Sequence, residues 1–315
     1  SAALALALPA SAQEEPKGAP APSEIVAAAP KADWVAIAAE DLLVMTLAPD
    51  AEGKPRTVVI QLMPAPFSQG WVHNIRLFAR AKWYDGISVN RVQDNYVTQW
   101  GDPNYDNPEA TGKAKPLPEG LKVMGESEYT VSTRSVFQEQ NVLERAFLNG
   151  AIAGGLDLDN LPDASVDADA VFMKDRYAPA ALIGLGWPMG LSAEGVWPTH
   201  CYGMVGVGRN YSPDTGSGAE LYTVIGHAPR HLDRNIALVG RVIEGMQHLS
   251  SLPRGSGALG FYTAEEAGKR TPILTVRVAS DLPPGEQPAF EYLSTESTTF
   301  ATYVEAIANR RDPFF

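Results

Sequence analysis

Short runs rich in β-branched and aromatic residues, each closed by Gly, Pro, Asn or Asp, recur between residues 42 and 279. This punctuation limits what the chain can fold into more than any other feature. LLVMTL at 42–47 and TVVIQLM at 57–63 flank a polar turn running from Pro49 to Pro55, with Asp50 and Gly53 inside it. That is a β-hairpin pattern. Further strand-like runs lie at 87–92, 95–100, 201–207, 221–226, 236–242 and 273–279, the last alternating cleanly. One early segment has helical period instead. Phe67, Trp71, Ile75 and Phe78 make a single apolar stripe, with His73, Arg76 and Arg80 off it and Gly86 after Asp85 as a stop. Many short strands with so little helix between them favour a closed or nearly closed antiparallel barrel over βαβ units.

Between these runs the chain is less regular. Residues 104–130 are rich in Pro, Gly and Asn and read as a long loop, whereas 136–148 have helical spacing in Val136, Leu143 and Phe147 with Ser135 as a cap. Residues 155–169 hold five aspartates, Asp157, Asp159, Asp163, Asp167 and Asp169. A calcium loop would need a glycine at its sixth position and a closing Glu, which are missing, so a solvated loop is the better reading. Residues 243–250 begin a helical turn, and a helix is expected at 298–309 within a tail that starts near 286.

At 315 residues, with 45% hydrophobic and 20% charged side chains, the chain is long enough for one large core. Its net charge of −12 repels phosphate backbones and anionic lipid, so nucleic acid is not an expected partner. The one cysteine, Cys201, excludes an intrachain disulfide, and the five histidines show no zinc spacing, so no cofactor or metal is expected. His200 and Cys201 are adjacent and would point to opposite faces of a strand, which favours a structural thiol over a nucleophile. The first 13 residues, SAALALALPASAQ, combine an Ala/Leu run with the small-x-small pattern Ala10-Ser11-Ala12 that precedes signal-peptide cleavage. Residues 1–12 therefore read as a signal-peptide remnant, which implies a periplasmic protein; the competing reading is a disordered Ala-rich tail. Residues 13–33 have the Ala, Pro, Glu and Lys composition of a flexible leader. No later segment is apolar enough to insert in a membrane.

Three segments together resemble the cyclophilin family. VVIQLMPAPFSQGWVHNIRLFARAKWYDG (58–86) is similar to that family's strand, first helix and Tyr-Asp-Gly turn. SVNRVQDNYVTQWGDP (88–103) resembles its F-H-R-V-I-x-G-F-M-x-Q-x-G-D-P stretch. GAELYTVIGHAPRHLDRNIALVGRVIEGM (218–246) resembles G-S-Q-F-F-I and the W-L-D region that follows it. The resemblance implies a mainly β fold: a closed antiparallel eight-stranded β-barrel, capped by helices, over residues 34–285, with a partly helical insertion at about 104–196. It also implies peptidyl-prolyl cis/trans isomerase activity on proline-containing polypeptides, without cofactor, by a monomer.

By that resemblance Arg91 is the essential arginine and Gln99 the glutamine that holds it, and their odd-to-odd spacing lets both face one side of a hairpin. Tyr96 and Val97 match the family's Phe-Met pair, Tyr222 the second Phe of F-F-I, and Leu232 the Leu of W-L-D. Glu220 stands where glutamine is usual, and Val205 and Gly206 where a substrate-binding Ala-Asn lies. There are departures. Asn90 replaces a His, Ile236 stands where many members carry His, and His231 where some carry the Trp that contacts cyclosporin, so weak drug sensitivity is expected. Two tyrosines add hydroxyls to an apolar pocket, and each needs a partner or costs affinity. Three functions follow: an isomerase assisting the folding of exported proteins; a cyclophilin-like binding or chaperone module with weak or no catalysis, recognising partners through its insertion; or an unrelated hydrolase using acids between Asp157 and Asp169.

Overall fold

The computed structural model describes residues 19–105, 107–108, 110–132, 136 and 175–309. Two short pieces come first, helix α1 (Pro22–Ala27) and strand β1 (Trp34–Ala36). Strands β2 (Leu42–Leu47) and β3 (Arg56–Leu62) then pair antiparallel, Leu42 opposite Gln61 and Leu47 opposite Arg56. Asp50 builds the turn between them, its Oδ1 accepting hydrogen bonds from the Glu52 and Lys54 backbone N–H groups at 2.9 and 2.8 Å. Helix α2 (Gln69–Arg80) follows, and the stripe expected from its spacing is the one it buries: Phe67, Trp71, Ile75 and Phe78 are each at most 3% exposed. Each contributes about 1.5–3 kcal/mol by leaving water, so packing rather than helix propensity holds α2 in place. On its other side, Arg76 pairs with Asp41, and Arg80 with Glu40 and Asp281.

The chain continues through β4 (Ser88–Val92) and β5 (Val97–Gly101), then the insertion, then β9 (Met204–Val207), β10 (Leu221–Val224), β11 (Leu238–Glu244), the single-turn helix α3 (Gln247–Ser250) and β12 (Ile273–Val278). Eight strands form one sheet in the order β12-β2-β3-β11-β9-β10-β5-β4. The sheet curls until its ends meet. Val89 donates to the Thr271 carbonyl at 2.9 Å, Ile273 to that of Ile87 at 2.8 Å, and Gly86 to that of Ile273 at 2.9 Å. Closure removes the exposed strand edges. Inside are Met45, Val58, Ile60, Val89, Val92, Trp100, Val205, Val207, Leu221 and Val276, all at most 4% exposed.

Two expectations change. The described part of the insertion carries a three-stranded antiparallel sheet, β6 (Ala180–Gly184), β7 (Trp187–Leu191) and β8 (Val196–Pro198), where no strands were expected. These strands are short and broken by Gly and Pro, so their local pattern reads as loop; their pairing supplies what propensity does not. The helix expected at 136–148 lies outside the described residues apart from Val136, as do the aspartates of 155–169 and the signal-like residues 1–12. Second, the leader expected to be flexible to residue 33 contains α1, which lies against α4 (Thr298–Ala308). Strand β1 pairs with β13 (Glu291–Leu293), joining the two ends of the described chain in a small lobe. Its partner is more than 250 residues away, beyond the reach of composition.

Asp85, at the end of the turn that joins α2 to β4, takes two hydrogen bonds from the Arg277 guanidinium on β12, both at 2.7 Å. Burial raises its pKa, but those bonds and the cationic charge outweigh it, so the carboxyl sits below its ordinary value. Its contribution is therefore present above the unfolded-state pKa near 4 and lost as pH falls through the lower folded value. Replacing it (Asp85→Asn) should cost about 1 kcal/mol at neutral pH and flatten the fall of Tm on acidification below about pH 4, measured by thermal denaturation.

Candidate active site

Antiparallel register sets four residues in one rank across the outside of the barrel. Arg91 on β4 lies opposite Gln99 on β5, Gln99 opposite Tyr222 on β10, and Tyr222 opposite Gly206 on β9. The β4–β5 ladder slips between Val89 and Arg91, at Asn90. This local bulge turns Asn90 inward, where it is 2% exposed and donates to the Gly101 carbonyl at 3.0 Å while accepting from Ser88 at 2.7 Å. The departure at Asn90 therefore sits beneath the sheet and leaves the groove unaltered.

The guanidinium of Arg91 is held on every side. Its Nη1 donates to Gln99 Oε1 at 3.1 Å, its Nη2 to Gln93 Oε1, and its Nε to the Leu259 carbonyl at 2.6 Å. The rings of Tyr96 and Phe261 flank it, with centroids 5.6 and 5.5 Å from Cζ. Burial lowers its pKa and the two nearby tyrosines, Tyr96 and Tyr222, oppose that, but arginine stays cationic at neutral pH regardless. Of five N–H groups, three are committed to these acceptors and two remain for an incoming peptide. Leu259 presents its carbonyl from a left-handed backbone conformation, φ 54°, which a branched residue adopts only under constraint.

Beside the guanidinium lies an apolar cluster of Val97, Tyr222 and Val224, with Tyr96 and Ile236 packed on it. Tyr96 also stacks on His231, ring centroids 6.2 Å apart. Leu232 is half-buried in the single 3-10 turn Arg230–Leu232, on the loop leading to Ile236. The structure thus gathers Arg91, Gln99, Tyr96, Val97, Tyr222, Gly206 and Ile236 into one groove. It does not gather two others. Val205 packs in the barrel interior, because alternate residues of β9 face opposite ways. Glu220 turns away into an adjoining pocket of about 350 Å3 shared with Tyr105, Arg209, Asp214 and Ser217. It meets Gln99 Nε2 only at 3.4 Å, and it occupies the space a side chain at Gly101 would need.

The added hydroxyl of Tyr222 is not left bare: it lies 2.7 Å from Nε2 of His200, a residue with no exposure. Sequence reasoning did not reach Leu259, Phe261, His200 or Asp233, which arrive from separate parts of the chain, nor Gln93, which lies two residues from Arg91 and read only as a polar turn residue; of these the histidine alone was weighed, and then for its neighbour. Cys201 is half-buried, and burial pushes its thiol pKa up, with a partly opposing hydrogen bond to Thr199, so it is a poor nucleophile.

A closed β-barrel carrying an oriented arginine beside an apolar cluster defines a class of peptide-binding barrels, and sequence comparison says which. Residues 56–278 match the family described as cyclophilin type peptidyl-prolyl cis-trans isomerase/CLD, so this chain belongs to the cyclophilin-type peptidyl-prolyl cis-trans isomerase family. Among solved structures it is similar to the cyclophilin AquaCyp293 from Hirschia baltica, with 19% identity, a TM-score of 0.59 and 89% of each chain covered. A cyclophilin type isomerase of Cryptosporidium parvum matches more distantly, with 9% identity, a TM-score of 0.37, and 75% of this chain and 96% of that one covered. No curated protein matches in sequence.

Gly206 is a requirement of this groove. A Cβ there would lie 2.3 Å from the Tyr222 hydroxyl oxygen and 2.4 Å from Cζ. Gly206→Ala should drive that ring toward the groove and raise KM for proline peptides severalfold, with a smaller change in kcat, read from steady-state isomerisation kinetics.

Proposed function

We propose that this isomerase turns X–Pro bonds by means of Arg91 and that its clients are exported proteins. The observation that carries the catalytic part is the immobilised guanidinium with two N–H groups to spare, beside the apolar cluster of Val97, Tyr222, Val224 and Ile236. The uncatalysed barrier of about 18–20 kcal/mol reflects amide resonance. As the X–Pro bond twists, the prolyl nitrogen regains its lone pair and the carbonyl loses conjugation. A cationic donor aimed at the nitrogen or the adjacent carbonyl stabilises that twisted state over either planar one. The hollow grips the proline ring while the preceding residue rotates. Because the donor is already oriented, little reorganisation is needed at the transition state. No covalent bond forms and no proton changes owner.

Desolvation strengthens the interaction further. The Arg91 side chain lies between aromatic faces rather than in bulk water, so its field on the bound amide is weakly screened. Tyr96 and Tyr222 remain neutral there: burial pushes both phenol pKa values above the ordinary 10.

Supporting export is the N-terminal SAALALALPASAQ with its small-x-small ending. If it is a signal segment, N-terminal sequencing of the mature protein from its host will begin at Gln13.

The catalytic proposal is tested by Arg91→Ala and Arg91→Lys in a protease-coupled proline-peptide assay. The alanine variant should lose about 10²–10³ in kcat/KM, the scale of removing one preorganised donor. The lysine variant should recover little, because a point charge cannot replace the planar fork held by three acceptors. Equal, background-level rates in wild type and Arg91→Ala would instead leave a cyclophilin-like binding module.

A further inference from the structure

Behind the floor of the groove runs a buried chain of polar contacts. Both the His200 ring Nδ1 and its backbone N–H lie 2.8 Å from Asp233 Oδ1, and Asp233 Oδ2 accepts from Arg230 Nε at 2.6 Å. Arg230 also forms an ion pair with Asp175 and lies over the Tyr177 ring, 5.4 Å from its centroid. Asp175 and Tyr177 belong to the insertion, and His200 follows closely on its last strand, β8.

Chemistry fixes the direction of these bonds. An ionised carboxylate only accepts, so Nδ1 of His200 carries a proton. Burial pushes the imidazole pKa down, and although Asp233 opposes this, the net direction is below the ordinary 6.5, so the ring is neutral at pH 7 and Nε2 is an acceptor. The Tyr222 O–H therefore donates to His200. A tyrosine on the groove floor is anchored from behind, and the face it turns to the groove remains apolar ring. The hydroxyl also sits where a Cβ on residue 206 would be, so ring depth and anchor are matched to one glycine.

We infer that His200, oriented by Asp233, is a positioning residue for the proline pocket, and that the insertion serves catalysis by bracing this chain through Asp175 and Arg230. The inference rests on the groove being the isomerase site. Without the anchor, a buried hydroxyl with no acceptor tilts the ring to find one, and the pocket changes depth.

The chain allows a clean test. In His200→Leu the Asp233 carboxylate gives up the imidazole N–H but keeps Arg230 and the residue-200 backbone N–H, so the Tyr222 hydroxyl is the group left without a partner. That variant should lose about tenfold in kcat/KM, mostly as a higher KM. Removing the hydroxyl as well, in His200→Leu/Tyr222→Phe, should restore kcat/KM to within about twofold of Tyr222→Phe alone, since deleting both partners of a buried bond is nearly neutral. His200→Gln, whose amide oxygen can accept, should lie between. If His200→Leu does not fold, a folded double variant as active as Tyr222→Phe supports the inference equally, and a double variant that also fails to fold overturns it. A single variant as active as wild type, or a double variant no better than the single, also overturns it. Arg91→Ala in the same assay separates the two levels: if it too matches wild type, the site assignment fails, not merely the brace.

Discussion

The antiparallel register across β4, β5, β10 and β9 is the constraint on which the active groove depends. It sets Arg91, Gln99, Tyr222 and Gly206 in one line on the outer face of the barrel. A one-residue slip in any of these pairings would turn that member of the line into the core and bring an apolar neighbour out. Closure of the barrel through residues 86–89 and 271–273 holds the register at the edge that carries Arg91, where a free strand would be most prone to shift. The rigidity an electrostatic catalyst needs is thus supplied by backbone hydrogen bonds away from the groove.

Neutral groups do the orienting. Two glutamine side-chain oxygens and a backbone carbonyl hold the guanidinium, and among the described residues no carboxylate pairs with it. A carboxylate would hold it as firmly but would cancel much of the field it presents to a bound amide. The acid Glu220 stands behind Gln99 and faces the adjoining pocket. The same economy governs the floor of the groove, where the added tyrosine oxygen finds a histidine behind it and presents only carbon in front.

The described residues of the insertion pack on several parts of the barrel. Tyr129 stacks on Trp71 of α2, ring centroids 5.7 Å apart, Trp187 lies under the Arg241 guanidinium of β11, 4.2 Å from Cζ, and Asp175 pairs with Arg230 behind the groove floor. Met124, Trp187, Met189 and Val196 join the main core. Among the described residues, the partners of Arg91 come from β5, from the turn that joins it to β4, and from the segment 259–261.

Local sequence was enough for the hairpin at 42–63 and for the buried stripe of α2, and its alternation allowed Arg91 and Gln99, paired by family resemblance, to face one side of a hairpin. In each case the physics acts within about ten to twenty residues: period, turn chemistry and alternation are all written there. It was not enough for the sheet at 180–198, for the pairing of β1 with β13, or for the supports around the arginine. Leu259 approaches the arginine from 168 residues along the chain with Phe261 beside it, His200 meets Tyr222 from outside the strand ladder, and nothing near them marks their destination. Val205 shows the same boundary from the other side, since a matching position does not say which face of β9 points inward. The sequence by itself determined the strands of the barrel and which charged side chain stands beside an apolar pair. Only the tertiary structure decided how firmly that charge is held and how the pocket floor is anchored, because both depend on contacts that exist once the barrel has closed.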